Sequence, residues 1–271
     1  MIGGEQWLLG LENLVSKGDI LHTAETYTPY THQAVQLRRA NKIKKLVCTC
    51  WETIPHNNEK LARLRLWKKE AYQYVDIFHT PTERAKEALV KEGVNPNKIM
   101  VINYGVDLTY FKPPTKRTIS SKHIVLTVAR KVPEKGINIW NKLKYELGDS
   151  VEFKWVDSLP YKEVIKEYQK ADIFLLPSMT TATWEEQYGM ALIEAMACGL
   201  PIITTNTGAI PEVVGNAAVL CDPEYDSIRT KLVEIINSPA LLKKHQKLSI
   251  ARARSQYDQN KQTVKLSALY N

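Results

Sequence analysis

At 271 residues, with 44% hydrophobic and 24% charged residues, the chain has the composition of a globular protein large enough for two modest domains. No run approaches the ~20 apolar residues of a bilayer-spanning helix. The formal net charge of +8 comes with no nucleic-acid recognition motif, so nucleic acid is not expected as a partner.

In chain order, a short helix precedes a strand at Asp19 to His22, a helix from Pro29 to Asn41 and a strand from Lys45 to Cys50. A helix from Asn58 to Val75, a strand from Asp76 to His79, a helix from Thr82 to Glu92 and a strand from Lys98 to Ile102 follow. This alternation predicts a parallel α/β layer. Basic residues cluster twice in it, at Arg38, Arg39, Lys42, Lys44 and Lys45 and again along KLARLRLWKKEAYQYV from Lys60. In the second cluster Leu61, Leu64, Trp67, Ala71 and Tyr74 recur at helical spacing, with Lys60, Arg63, Arg65, Lys68 and Lys69 on the other sides. Such a helix either packs on the core with a solvated basic face or lies on an anionic membrane surface. The four cysteines form no C-x-x-C pair, which points away from a zinc site and toward a reducing, cytoplasmic location.

Lys112-Pro113-Pro114-Thr115 stops both helix and sheet, and a linker is expected over residues 113–118. From about residue 119 the β-α pattern repeats. The buried strand Ile124 to Ala129 ends in Arg130, a turn and Lys135-Gly136. Ligands of open parallel sheets sit beyond the carboxyl ends of strands, where these two cations either clamp a diphosphate or stand as solvated surface charges. ADIFLLPS is another buried strand, ending at Pro177-Ser178. After it, Glu186 precedes an apolar helix and Glu194 lies inside it. A carboxylate among Leu192, Ile193, Ala195 and Met196 must be hydrogen-bonded, either by neighbouring backbone or by a ligand's hydroxyls. The Tyr188-Gly189 opening leaves backbone N–H groups free for an anion. Two carboxylates around one anion site point to a phosphorylated sugar. LPIITTNTGAIPEVV then reads as a strand ending in a Thr/Gly loop that lets backbone approach a ligand closely.

Four separate elements, in this order and spacing, resemble the retaining glycosyltransferases of family 4, which have the GT-B fold: VINYGVDLTYFKP, VARKVPEKG, the E-x7-E pair Glu186 and Glu194, and GLPIITTNTGAIPEVVGNAAVLCDP. Together they cover roughly residues 75–270. Ala129 stands where the family more often has Gly. The resemblance implies two Rossmann-like, doubly wound α/β domains: residues 1–112 on the acceptor side, 119–255 for the nucleotide-sugar, and a C-terminal helix over 256–271 that crosses back to the first domain. It implies transfer of a sugar from a nucleotide-diphospho-sugar to a saccharide or lipid-linked acceptor with retention of configuration. No cofactor and no metal are expected, since no Asp-x-Asp motif is present and protein cations would neutralise the leaving diphosphate.

The same resemblance implies roles. Arg130 and Lys135 would hold the diphosphate, Glu194 the ribose and Glu186 the transferred sugar. N–H groups around Gly189, Met190 and Ala191 would meet the phosphate, and the base would lie near Val156. Where the family often places a His beside the sugar, this chain has Trp51 followed by Glu52, and these two with His22 are candidates for the acceptor or sugar side. The family's opening strand, Gly-rich loop and two further strand–helix units have no counterpart before DILH, so the N-terminal domain is expected to be incomplete. A partner or dimer would then cover its exposed sheet. Two rivals stand beside this reading: another GT-B enzyme such as a nucleotide-sugar epimerase or a phosphorylase, and a degenerate chain that binds nucleotide without turnover. Family analogy with enzymes that use lipid-linked acceptors places the protein at the inner face of the membrane.

Overall fold

The computed structural model describes residues 6–115 and 122–271. The chain divides into two compact units: residues up to Asn103 together with Val264–Asn271, and Tyr104–Thr263.

The first unit runs α1 (Leu11–Leu14), β1 (Ile20–Ala24), α2 (Pro29–Arg39), β2 (Lys45–Thr49), α3 (Ala62–Tyr74), β3 (Ile77–Thr80), α4 (Glu83–Lys91), a 3-10 turn at Pro96–Lys98 and β4 (Ile99–Val101). Pro29 at the first turn and Thr28, whose hydroxyl accepts the Thr31 N–H, start α2; Thr82 starts α4 by accepting from Ala85. All four strands are parallel, in the order β1-β2-β3-β4. Right-handed crossovers that always step the same way put α2, α3 and α4 on one face. Leu46, Cys48 and Phe78 meet Val35, Leu37, Ala71 and Leu89 there. The alternate residues Ile20, Val47 and Ile77 point to the other face, which would be bare. The C-terminal segment covers it with Leu266 and Leu269, and full burial of Leu269 contributes about 1.5–3 kcal/mol.

Two expectations for α3 are corrected. The helix begins at Ala62, not at Asn58, because Glu52 gathers the preceding loop. Its carboxylate accepts the N–H groups of Thr53 and Ile54 and the side-chain amides of Asn57 and Asn58, while His56 and Asn58 take left-handed backbone. Lys68 is not on a solvated face. It is 2% exposed and pairs with Glu92 at 2.6 Å and Glu59 at 3.1 Å, since a buried ammonium must be matched by carboxylates.

The second unit runs β5 (His123–Val128), a 3-10 turn at Pro133–Lys135, α5 (Ile137–Leu147), β6 (Val151–Val156), α6 (Tyr161–Lys170), β7 (Ile173–Leu176), α7 (Met190–Ala197), β8 (Ile202–Thr205), α8 (Ile210–Val214), β9 (Ala218–Cys221), α9 (Tyr225–Ile236) and α10 (Pro239–Gln256), followed by α11 (Gln259–Ser267), whose end belongs with the first unit. Its parallel sheet has the order β6-β5-β7-β8-β9. The direction of winding reverses after β6, so helices fall on both faces. Trp140, Leu143, Ile228 and Leu232 of α5 and α9 fill one layer. Tyr168, Leu192, Ile193, Val213 and Ala253 of α6, α7, α8 and α10 fill the other. The switch point lies between β5 and β7, where α/β sheets place their ligands.

The division between units lies at Asn103/Tyr104, ahead of the proline run. Val106 donates to Tyr257 O at 2.8 Å and accepts from the Gln259 N–H at 3.1 Å, and Phe111 is fully buried against the rings of Tyr161 and Tyr168. Residues 104–112 therefore belong with the second unit. Of the expected linker, residues 116–118 lie outside the described residues, as does the expected domain start at 119. Residues 256–271 form α11 and a 3-10 turn at Ala268–Tyr270, set off from α10 by a break at Tyr257, in place of one continuous helix.

Candidate functional site

Three loops converge beyond the carboxyl ends of β5, β7 and β8. The first carries Arg130 and Lys135. The Ala129 N–H bonds Val156 O at 3.0 Å, and the Trp155 indole donates to Ala129 O at 2.7 Å, so the end of β5 is held on both sides. Arg130 follows, exposed; its carbonyl accepts from the Val132 N–H at 3.0 Å, and its guanidinium has no hydrogen bond or ion pair among the described residues. The chain then tightens through Pro133–Lys135 into Gly136, whose φ is +76°. A Cβ on Gly136 would lie 2.0 Å from Pro177 O, so only glycine lets this turn pack against the loop after β7.

That second loop begins at Pro177-Ser178. The Met179 N–H donates to Glu134 O at 2.8 Å, tying the two loops, and a turn closes between Thr181 N and Trp184 O. Glu186 is 6% exposed. Its Oε2 accepts from the Lys135 ammonium at 2.5 Å and from the Ser178 hydroxyl at 3.0 Å. Both bonds fall on one oxygen, and Oε1 has no partner among the described residues. The third loop, after β8, passes under Glu186. The Ala209 N–H donates to Glu186 O at 2.8 Å, and a Cβ on Gly208 would lie 2.3 Å from that same carbonyl. Thr205 supports the assembly by donating to Ser178 O at 2.6 Å.

Gly189, with φ +80°, opens α7. Met190 and Ala191 occupy its first two positions, where N–H groups have no intrahelical acceptor and the helix dipole favours an anion. Glu194 lies on the second turn of this helix, half-buried, and accepts from the Tyr168 hydroxyl at 2.8 Å. Burial raises its carboxyl above the ordinary range, and the Tyr168 bond opposes that rise.

The structure thus joins Lys135 to Glu186 directly and sets Arg130 on the loop that carries Lys135. It does not offer Val156, which is 5% exposed and packed in the core. Three contributors are not announced by the sequence pattern: Ser178, Trp184 and Tyr168. Ser178 at a strand terminus is the one readable signal; Tyr168 lies on a different helix from Glu194, and no spacing marks that pair.

In the first unit, the side-chain polar atoms of His22 and Glu52 all have hydrogen-bond partners among the described residues. Glu52 is saturated by its own loop. His22 bonds Tyr270 through Nδ1 at 2.5 Å and Thr49 through Nε2 at 2.7 Å. Thr49 continues to His79 Nδ1 at 2.9 Å, and His79 Nε2 reaches Ile102 O at 2.8 Å. The Ile102 carbonyl can only accept, so His79 donates from Nε2; with both rings neutral, the form that burial favours, Thr49 donates to His79, His22 to Thr49 and Tyr270 to His22. Trp51 is half-buried, and its backbone N–H donates to the buried Glu25 carboxylate at 2.8 Å, as the Glu52 backbone N–H does at 3.2 Å. His56, Glu59 and Glu92 come within metal-ligand distance of one another, but Lys68 already bonds both carboxylates.

Residues 140–255 match the family described as Glycosyl transferases group 1, and residues 6–110 match Glycosyltransferase Family 4. The putatively named colanic acid biosynthesis glycosyltransferase WcaL of Escherichia coli K12 is 27% identical over 213 residues, covering 67% of this chain and 52% of that protein. The chain spans about half the length of such curated relatives. Among solved structures, sucrose-phosphate synthase from Thermosynechococcus elongatus superposes with a TM-score of 0.76 at 18% identity, covering 93% of this chain and 72% of that one. Anabaena HepE in complex with UDP gives 0.76 at 16% identity, covering 92% and 78%, and its UDP-glucose complex gives 0.72 over 92% and 79%. At these identities the structural likeness establishes the fold, a two-sheet GT-B architecture.

Proposed function

Because the chain belongs to glycosyltransferase family 4, we propose that it moves a sugar from a nucleotide-diphospho-sugar to a saccharide or lipid-linked acceptor with retention of anomeric configuration. The observation that carries this reading is the state of Glu186. Lys135 and Ser178 hold one of its oxygens, and the other is left for a sugar hydroxyl.

The remaining groups fit a diphosphate. The Arg130 guanidinium, unpaired among the described residues, is suited to bidentate phosphate contact, and Lys135 adds a point charge. Met190 and Ala191 supply N–H groups at the start of α7, and the Glu194 carboxylate would accept from the ribose hydroxyls. In the proposed step the acceptor's oxygen bonds to the anomeric carbon on the face the diphosphate leaves, and the acceptor's proton passes to a leaving phosphate oxygen. Arg130 and Lys135 stabilise the negative charge that develops on that oxygen, so no metal is required; fixed charges of this kind usually supply more of the rate enhancement than any other effect. UDP is the first nucleotide to test, because a protein of the same fold binds it.

No helix among the described residues is long and apolar enough to cross a membrane. Arg65 and Lys69, one turn apart, share an exposed face of α3, which supports peripheral contact with an anionic cytoplasmic surface. A nucleotide-binding chain without turnover is the second reading, favoured by the saturated hydrogen bonding of His22 and Glu52.

A panel of UDP, GDP and ADP in thermal unfolding, followed by a transfer assay with the matching nucleotide-sugar, tests the proposal. A Tm rise with at least one diphosphate is expected, since selective binding to the folded state stabilises it. No rise with any of the three overturns the donor assignment. A rise without transfer to any lipid-linked or saccharide acceptor selects the second reading.

A further inference from the structure

We propose that Trp184 is a positioning residue: it fixes the Lys135 ammonium, and through it the donor diphosphate. This inference rests on the diphosphate role proposed above for Lys135. Nothing in the family's E-x7-E spacing points to a tryptophan two residues before the first glutamate.

Three observations carry it. The Lys135 Nζ lies 4.9 Å from the centroid of the Trp184 ring and 2.5 Å from Glu186 Oε2, so the ammonium is held between an aromatic face and a carboxylate. The backbone beneath it is fixed, because Gly136 abuts Pro177 O and Glu134 O accepts from Met179. The Trp184 backbone is itself held by the turn from Thr181, whose N–H donates to Trp184 O at 2.8 Å.

A lysine side chain has four rotatable bonds and is ordinarily a mobile point charge. Here one N–H direction is taken by Glu186 and another by the electron-rich ring face. The rest of the ammonium is left for an anion, and the charge is already ordered before that anion arrives. Ordering a contact group in advance lowers the cost of binding. The two jobs of this corner, a cation for the diphosphate and a carboxylate for the sugar, therefore share a third side chain, which meets the Lys135 ammonium with its ring face.

The test is a double-mutant cycle on the intact chain. Affinity is measured by calorimetry for whichever of UDP, GDP and ADP raises Tm most, in the unmodified chain, Trp184→Phe, Trp184→Leu, Lys135→Ala and the Lys135→Ala/Trp184→Leu pair. Trp184→Leu keeps apolar bulk but removes the π face, and is expected to weaken binding about 3- to 30-fold. Trp184→Phe, which keeps a π face, is expected to restore most of that loss. In the Lys135→Ala background Trp184→Leu is expected to have no further effect. An undiminished Trp184→Leu loss in that background, or a Trp184→Phe variant as weak as Trp184→Leu, overturns the positioning role alone. Unchanged affinity in Lys135→Ala by itself overturns the diphosphate reading and this inference with it.

Discussion

The Lys135 ammonium bonds the Glu186 carboxylate at 2.5 Å, tying the residue expected on the leaving group to the residue expected on the sugar. Neither side chain is fully exposed, at 15% and 8%, so the pair is screened less than a surface salt bridge. Changing either residue therefore changes the other's environment.

Glu186→Gln leaves Lys135 without its carboxylate. Affinity for a bare nucleoside diphosphate should stay the same or rise, because the ammonium is no longer shared, while sugar transfer falls. Glu194→Gln should weaken the bare nucleotide through the lost ribose contact. Calorimetry on both variants checks the pair, and an equal loss of affinity in the two contradicts the assignment of roles.

The Arg130 guanidinium has no partner among the described residues, so its removal separates binding from folding. Arg130→Ala should change stability by no more than about 0.5 kcal/mol. It should weaken diphosphate binding by about 2–5 kcal/mol, the range for truncating one side of a hydrogen-bonded charge pair in a complex. A variant with a clearly lowered Tm and unchanged diphosphate affinity would show that the guanidinium is structural.

Gly208 combines a φ of +54° with a missing Cβ that would sit 2.3 Å from Glu186 O. Gly208→Ala must move the backbone of Glu186 as well as strain its own, at a cost of about 1–3 kcal/mol. Both Tm and transfer rate should drop; a variant with normal transfer kinetics would mean that the loop after β8 does not fix Glu186.

Glu25 is buried at the end of β1, in left-handed backbone at φ 60°. Burial first, then the neighbouring carboxylates, push its carboxyl up to about 8, against the opposing Trp51 and Glu52 N–H bonds. A raised carboxyl favours the folded state only while protonated. Its contribution is complete below about 4.5 and is lost as pH rises through about 8, a change on the order of 5 kcal/mol. The Tm difference between the unmodified chain and Glu25→Gln should shift toward the variant across that interval. A constant difference would place the Glu25 titration elsewhere.

His22 and His79 titrate in the opposite sense. Burial lowers both, and for His22 the neighbouring His79 adds to the effect. The neutral ring is the form that burial favours in both. Their contribution is present above about 6.5 and declines as pH falls from there toward the folded values, because the unfolded chain takes up protons first. NMR titration of the two rings should give midpoints below 6.5, and a midpoint at or above it in either ring would contradict the effect of burial on that ring. Tyr270→Phe should shift the His22 midpoint while leaving that of His79 nearly in place.

Order along the chain determined most of the architecture. Alternating apolar runs and capped helices placed β2, β3, β5, β7 and β8 within a residue or two, because strand and helix periodicity are local properties. The end of a buried strand marked Arg130 and Lys135 as candidates, since ligands of open parallel sheets lie there, and Glu186 was marked by its place ahead of an apolar helix. Only the tertiary structure decided what those residues touch. The convergence of Lys135 and Ser178 on one oxygen of Glu186 brings together two loops, and the Tyr168–Glu194 bond joins two helices, so neither follows from spacing along the chain. The same holds for the start of α3. Its helical periodicity extends back past Ala62, but Glu52 offers the backbone at Thr53 and Ile54 and the amides of Asn57 and Asn58 a competing set of bonds. Lys68 is the clearest case: on a helical wheel it is one more solvated cation, and only the arrival of Glu59 and Glu92 from other segments lets it be buried. Periodicity reports which face a residue prefers, whereas burial of a charge depends on partners that folding alone brings near.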